Sequence, residues 1–207
     1  MAQFFTIHAL DPQPRLIRQA AQMVREGAVI AYPTDSCYAL GCRIGDKDAV
    51  TRIRQVRQLD DRHLLALLCR DLAEVAVYAR VDDAQFRLLK AVTPGSYTFI
   101  LHATREVPKR LQHPSRRTIG VRVPDHAIVE ALLRELGEPL VSSTLVMPGD
   151  TEPLNDALEI RARLERRIDL VIDGGPCGVV PTTLVQLTGD APVVTRVGKG
   201  SIALFAS

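Results

Sequence analysis

The sequence predicts a single α/β domain built on a mixed, twisted, open sheet that is flanked by helices. Segments with helical periodicity alternate with short apolar segments of strand length, and no internal repeat interrupts them. The last two predicted strands follow each other after a brief turn, which favours antiparallel pairing somewhere in the sheet. The chain has 207 residues, of which 46% are hydrophobic, and this is enough for one domain with a sizeable core.

In the N-terminal half, apolar spacing and capping residues define the predicted elements. A helix with Leu16 and Val24 on its apolar face ends at Gly27, and a buried strand follows at 28–32. Asp46 is placed to cap a second helix, which extends to about residue 57. The remaining elements of this half are a buried strand at 64–69 and a helix opened by Asp71-Leu72-Ala73-Glu74.

The C-terminal half alternates in the same way but contains more strands than helices. Its predicted helices run from Asp82 or Asp83 to about Val92, from Pro124-Asp125 to Gly137, and from Asp156 to about Arg166. Its predicted strands lie at 97–103, 118–123, 140–146, 170–173, 184–187 and 193–196. The chain contains neither a G-x-G-x-x-G fingerprint after the first strand nor a Walker-type loop, so a doubly wound dinucleotide fold is not predicted.

The composition predicts a cytoplasmic protein with no metal centre and no disulfide framework. The longest apolar runs fall well short of the ~20 residues that a bilayer span needs. Residues 1–8 lack a basic region followed by a long hydrophobic one. The four cysteines form no C-x-x-C pair and have no histidine at zinc-ligand spacing, so we expect reduced, partly buried thiols.

Residues 32–42 combine turn-forming residues with side-chain hydroxyls at the end of the predicted strand 28–32. Pro33 has no backbone donor for the sheet, and Thr34, Asp35 and Ser36 then place polar groups at the strand end. Ligands of open α/β sheets bind at such strand ends. A ligand site is one interpretation of this segment, and an ordinary strand exit with an aspartate cap is the other.

Cations are concentrated between residues 105 and 122, although the net charge is only +2. This segment contains one acid, Glu106, and six basic residues, Arg105, Lys109, Arg110, Arg116, Arg117 and Arg122. Such a patch attracts the phosphates of a nucleotide or of a polynucleotide, but a solvated loop has the same composition. Because aromatic residues make up 4% and Trp is absent, we favour duplex backbone or mononucleotide phosphate over single strands.

Five motifs occur in the order that one known family shows. Pro33-Thr34-Asp35-Ser36-Cys37-Tyr38-Ala39-Leu40 resembles the Pro-Thr-Asp-Thr-x-Tyr-Gly-Leu signature of the YrdC-like family, whose best-known members are threonylcarbamoyl-AMP synthases. Other segments are similar to further elements of this family. They are Pro94-Gly95-Ser96-Tyr97-Thr98, Arg122-Val123-Pro124, the hydroxyl-rich strand at 139–144, and the closing segments Pro181-Thr182-Thr183 and Arg196-Val197-Gly198. The resemblance implies one YrdC-like domain over residues 1–207, with a core of about 14–200 around a concave basic cavity.

The resemblance also implies a reaction and a set of site residues. In this family the amine of threonine takes up bicarbonate, and the resulting carbamate attacks the α-phosphate of ATP to give threonylcarbamoyl-AMP and pyrophosphate. The resemblance implies that substrate and nucleotide are bound by Thr34, Arg57, Arg122, Ser143, Thr144, Thr182 and Arg196. Each of them alone also has a structural interpretation, such as a turn hydroxyl or a surface cation. ATP and Mg²⁺ are the implied cofactors if synthase activity is retained.

The chain is most similar to the YciO subgroup, and it departs from the synthases at two positions. The synthases carry Lys-x-Arg after the second helix, which aligns with Arg57 and Leu59. They also carry Ser-x-Asn, which aligns with Thr144 and Val146. Loss of one preorganised donor typically costs a factor of ~10²–10³ in rate, so these aliphatic residues predict reduced or altered activity.

Three functions are consistent with the sequence. The first is an enzyme that slowly makes threonylcarbamoyl-AMP or a related adenylate for tRNA threonylcarbamoyladenosine modification. The second is a module that binds double-stranded RNA or tRNA through Arg105, Lys109, Arg110, Arg116 and Arg117. The third is a nucleotide-handling enzyme of different specificity. We predict an RNA- and nucleotide-binding protein related to the synthases, with RNA, nucleotide and threonine as its partners.

Overall fold

The computed structural model describes residues 1–60 and 63–205, which form ten strands and six α-helices. The strands are β1 Gln3–Thr6, β2 Ile30–Tyr32, β3 Ala39–Arg43, β4 Ala66–Leu68, β5 Tyr97–His102, β6 Thr118–Arg122, β7 Leu140–Thr144, β8 Leu170–Asp173, β9 Thr183–Gln186 and β10 Val193–Arg196. The helices are α1 Pro14–Arg25, α2 Lys47–Arg57, α3 Leu72–Tyr78, α4 Asp83–Val92, α5 Ala127–Leu136 and α6 Ala157–Leu164. No helix in these two segments is long and apolar enough to cross a membrane.

The strands form one open sheet in the order β1-β8-β2-β3-β7-β4-β6-β5-β9-β10. Parallel pairing joins β8 to β1 and β2, β4 to β6, and β5 to β9. Antiparallel pairing joins β3 to β2 and β7, β4 to β7, β5 to β6, and β9 to β10. The prediction of a mixed open sheet is therefore confirmed, and β9 with β10 is the predicted C-terminal antiparallel pair.

The helix starts follow from the aspartates that the sequence places before them. Asp46, Asp71, Asp82 and Asp156 each accept a hydrogen bond from the backbone N–H three residues later, at 2.7–2.8 Å. At α4 the side chain of Gln85 also accepts a hydrogen bond from the backbone N–H of Asp82, which completes a capping box. α5 differs from the prediction, because it begins at Ala127 with His126 at its N-cap rather than at Pro124-Asp125.

Two strands were not predicted from the sequence. β1 has only exposed or half-buried side chains, and its backbone partners come from β8 at the other end of the chain. β3 consists mostly of small, fully buried residues, which give no alternating pattern. A Cβ at Gly41 would lie 2.7 Å from the ring of Tyr32, so close packing against β2 explains a residue that is otherwise rare in strands. The predicted strand at 28–32 begins at Ile30.

Helices cover both faces of the sheet, but one face is covered only in part. On that face, α1 and α5 pack over β8, β2 and β3, in a cluster that extends to Leu68 of β4 and Leu140 of β7. Ser142 lies two residues after Leu140 and therefore faces the same side of the sheet. Beyond the two leucines this helical cover ends, and the cavity described below opens over the uncovered strands.

Candidate functional site

The uncovered sheet face forms the floor of a cavity of about 550 Å³. Strand registers place one row of residues across this floor, which consists of Ser142, Ala66, Gly120, Ile100 and Gln186. The row spans five strands, so at about 4.8 Å per strand the floor is about 19 Å wide. The cavity therefore has room for a ligand the size of a nucleotide. Six of the seven predicted binding residues line it, namely Arg57, Arg122, Ser143, Thr144, Thr182 and Arg196.

A buried ion pair holds Arg122 at the cavity wall. Its Nη2 donates to Oδ1 of Asp35 at 2.6 Å, and the two side chains are only 6% and 7% exposed. Asp35 also accepts a hydrogen bond from Ser96 at 2.8 Å, and Lys199 donates to its backbone oxygen. The Nε of Arg122 is buried and has no hydrogen-bond partner among residues 1–60 and 63–205. This donor is therefore available to an acceptor in the cavity.

Thr34, the seventh predicted residue, lies outside the cavity lining. Its buried hydroxyl donates to the carbonyl of Cys37 at 2.7 Å and accepts from the N–H groups of Ser36 and Cys37. These hydrogen bonds shape the turn that presents Asp35 to Arg122. Burial raises the pKa of the Cys37 thiol to about 11, so this cysteine is not an activated nucleophile.

Hydrogen bonds of Arg57 connect the C-terminal end of α2 to the C-terminal end of β7. Its guanidinium donates to the hydroxyl of Ser143 at 2.7 Å, to the carbonyl of Val146 at 2.6 Å, and to the carbonyl of Thr144. Burial lowers the pKa of this guanidinium. Leu59 is half-buried and packs against the core, and it does not line the cavity. The N–H donors of the Arg57 guanidinium are thus largely engaged by acceptors of the protein itself.

Arg196 stands at the opposite wall and binds Thr182. Its Nε and Nη2 donate to the carbonyl of Thr182 at 3.1 and 3.0 Å. The hydroxyl of Thr182 in turn lies 2.7 Å from that of Thr98 on β5. Burial lowers the pKa of Arg196. The side chain is therefore oriented by protein contacts, while in the described part of the chain its Nη1 donates no hydrogen bond and the residue lines the cavity.

Gly198 allows the chain after Arg196 to pass close to residues 181–183. A Cβ at this position would collide with the carbonyl oxygen of Pro181 and would lie 2.5 Å from the carbonyl carbon of Thr182. We expect Gly198→Ala to lower the free energy of unfolding by about 1–3 kcal/mol, measured by urea denaturation. Gly189→Ala is the control, because a Cβ there would meet no atom within 4 Å. Equal effects of the two substitutions would contradict this explanation.

The basic segment between β5 and β6 lies only partly at the cavity. Arg116 lines it, whereas Arg105, Lys109, Arg110 and Arg117 are exposed outside its lining. Arg110 donates to a backbone carbonyl in the loop between β3 and α2 at 2.5 Å. Most of the segment is therefore a solvent-facing basic surface outside the cavity, and its binding of RNA stays a prediction.

His126, the N-cap of α5, introduces a pH dependence near the site. Its pKa is lowered by burial, and the charges of Asp35 and Asp125 only partly oppose this effect. The unfolded chain therefore binds the proton more readily, and the folded state loses stability as the pH falls below the ordinary value of 6.5. We expect His126→Gln to flatten the unfolding free energy between about pH 7 and pH 5, measured by urea denaturation. The control is His102→Gln at an exposed position, and an unchanged slope in His126→Gln would overturn the assignment.

Three residues of the site were missed as functional groups in the sequence. Asp35 lies within the recognised motif, where a turn cap was its other interpretation. Ser96 occupies an unspecified position of the Pro-Gly-x-x-Thr element, and Lys199 lies outside the quoted motifs. The structure brings Ser96 to Asp35 from 61 positions along the chain and Lys199 from 164 positions. Arg122 was predicted, but its partner was not.

Comparisons with known proteins agree with this fold. The family model Sua5/YciO/YrdC, described as telomere recombination, matches residues 22–198. The chain is 54% identical over 205 residues to the protein YciO of Escherichia coli (strain K12), covering 99% of this chain and 100% of that protein. The crystal structure of E. coli YciO matches with a TM-score of 0.96 and covers 99% of this chain and 100% of that one.

Two further matches are to a threonylcarbamoyl-AMP synthase and to a protein crystallised with L-threonine. It is 32% identical over 175 residues to the threonylcarbamoyl-AMP synthase of Halorhodospira halophila, covering 84% of this chain and 91% of the synthase. The structure of P. abyssi Sua5 complexed with L-threonine matches with a TM-score of 0.86 at 27% identity, over 94% of this chain and 57% of that one. The resemblance predicted from the five motifs is thereby confirmed, and the chain belongs to the Sua5/YciO/YrdC family.

Proposed function

We propose that the chain binds a nucleotide in its cavity and slowly adenylates a carbamate, as a relative of the threonylcarbamoyl-AMP synthases. The observation that carries this proposal is the convergence of Arg57, Arg122 and Arg196 with the hydroxyls of Ser143 and Thr182 on one cavity. Similarity to a threonylcarbamoyl-AMP synthase and to a Sua5 crystallised with L-threonine supports threonine, bicarbonate and ATP as the substrates.

The proposed reaction asks the protein for positioning and charge stabilisation. A carbamate oxygen attacks the α-phosphorus of ATP, the bond between that phosphorus and the α–β bridging oxygen breaks, and pyrophosphate leaves with the electron pair. The free Nε of Arg122 would hold an oxygen of the carbamate or carboxylate, and Arg196 would face the phosphate. Mg²⁺ would enter as its ATP complex, since Arg122 and Ser96 already engage the carboxylate of Asp35.

The same contacts explain why the activity would be low. The guanidinium of Arg57 is bound to Ser143 and to two backbone carbonyls, so little of it is left for phosphate. Leu59 packs against the core where the synthases have an arginine. Val146 lines the cavity with an aliphatic side chain where the synthases have an asparagine. The nucleotide would therefore be held by fewer donors than in those enzymes.

The proposal is tested by assaying pyrophosphate and adenylate release with ATP, magnesium, threonine and bicarbonate. We expect slow product formation by the natural chain and a rise of about 10²-fold or more in Leu59→Arg plus Val146→Asn, which restores two donors. Val146→Asn alone serves as a second variant, because its site is at the cavity and does not disturb the core contacts of Leu59. Absence of product from all three folded proteins would rule out the synthase reaction.

We propose duplex RNA binding as a second function, on the observation that Arg105, Lys109, Arg110 and Arg117 are all exposed on the segment between β5 and β6. Such a surface would contact backbone phosphates without reading sequence. We expect the logarithm of the binding constant for duplex RNA to fall linearly with the logarithm of the salt concentration, and the slope to be shallower in Arg105→Gln plus Lys109→Gln. A flat salt dependence would exclude a phosphate-driven interface.

A further inference from the structure

One buried hydroxyl on the cavity floor has no explanation in the contacts described so far. Thr118 is the first residue of β6 and is 2% exposed, and it lines the cavity two positions before Gly120. Its Oγ1 has no hydrogen-bond partner within residues 1–60 and 63–205. A buried hydroxyl without a partner costs free energy, so this atom is suited to an acceptor supplied by a ligand.

The loop before β6 places two further donors near this hydroxyl. The N–H of His113 donates to the carbonyl of Thr118 at 2.8 Å, and the N–H of Arg117 donates to the carbonyl of His113 at 3.0 Å. Arg117 has a φ of 52°, a left-handed conformation that side chains rarely adopt. This closed loop lets Arg116 line the cavity while the neighbouring Arg117 lies outside its lining.

The tautomer of His113 follows from the same loop. Its Nδ1 accepts hydrogen bonds from the backbone N–H groups of Ser115 and Arg116 at 3.3 and 3.2 Å. Since a backbone N–H can only donate, Nδ1 carries no proton, and the neutral ring carries its proton on Nε2. In the described part of the chain the guanidinium of Arg116 forms no ion pair. His113 and Arg116 both line the cavity.

We propose that Thr118, His113 and Arg116 form a phosphate subsite at the end of the cavity floor away from Arg122. The three residues line the same cavity, Thr118 from the floor and His113 and Arg116 from the loop, and their hydroxyl, imidazole and guanidinium groups are donors of the kind that bind a tetrahedral oxyanion. Thr118 and Arg122 are four residues apart on β6, or about 13 Å, so a ligand reaching both would carry acceptors at two separated points. This inference rests on the proposed nucleotide binding and extends it to a second anion position in the same cavity.

The test is calorimetric titration of the full chain with inorganic pyrophosphate, in parallel with Arg116→Gln, Thr118→Val and Arg117→Gln. We expect about tenfold weaker binding in Arg116→Gln, a smaller loss in Thr118→Val, and no change in Arg117→Gln. Equal losses in Arg116→Gln and Arg117→Gln would mean general charge attraction and would overturn the subsite. An unchanged pyrophosphate affinity in Arg116→Gln would also overturn the subsite. Absence of pyrophosphate binding by the natural chain would do the same.

These titrations distinguish failure of the phosphate subsite from failure of the proposed synthase and RNA-binding functions. A chain that binds pyrophosphate through Arg116 but forms no adenylate keeps the subsite and loses the synthase reaction. Duplex RNA distinguishes the other source of phosphate, because Arg117→Gln is expected to weaken RNA binding while it leaves pyrophosphate affinity unchanged. Loss of both ligands in Arg117→Gln would contradict a subsite built into the cavity.

Discussion

Replacement of Asp35 by alanine is expected to lower the free energy of unfolding by about 3–5 kcal/mol, because it leaves the charge of Arg122 buried without a partner. The two side chains are 7% and 6% exposed and lie 2.6 Å apart, so the carboxylate is the charge partner of a largely buried guanidinium. Urea denaturation of the purified chain measures this difference. The double variant Asp35→Leu plus Arg122→Met is expected to recover much of the stability, because it removes both charges and keeps the volume.

A matched control for this prediction is the ion pair between Asp150 and Arg163. Its atoms are 2.8 Å apart, but its side chains are 30% and 36% exposed. Asp150→Ala is expected to cost no more than about 1 kcal/mol. If Asp35→Ala and Asp150→Ala had the same effect, burial would not be what makes the pair at the cavity important.

Arg57→Met is expected to lower the free energy of unfolding by about 2–3 kcal/mol, because three oxygen atoms lose a charged donor. The acceptors are the hydroxyl of Ser143 and the backbone carbonyls of Thr144 and Val146. Arg57→Lys keeps the charge, but a single ammonium cannot reproduce the planar fork that reaches all three. We therefore expect Arg57→Lys to recover less than half of the loss in the same urea experiment.

The control for Arg57 is an arginine whose hydrogen bond faces solvent. Arg43 donates to Glu138 at 2.7 Å and is 46% exposed, and Arg43→Met is expected to change stability by less than about 1 kcal/mol. A fully stable Arg57→Lys would show that charge alone, rather than the arrangement of donors, joins α2 to β7. The same variant also tests whether a lysine at this position, as in the synthases, has to give up these contacts.

Elements with a local cause were predicted well. The caps at Asp46, Asp82 and Asp156 are interactions within one helical turn, so their signal lies within a few residues. β1 and β3 are different, because β1 exists only through pairing with β8, and the small buried residues of β3 have no alternating pattern. Such strands are recognised only when their neighbours are in place.

The sequence by itself determined the family, most of the helix starts, most of the strands and the identity of six cavity-lining residues, because motifs and periodicity are properties of short segments. The tertiary structure decided which of these residues remain free to bind. Arg122 meets Asp35 across 87 positions of the chain, and Arg57 meets Val146 across 89. Such pairings depend on strand order and register, so the occupied fork of Arg57 and the free donors of Arg122 and Thr118 follow only from the folded sheet.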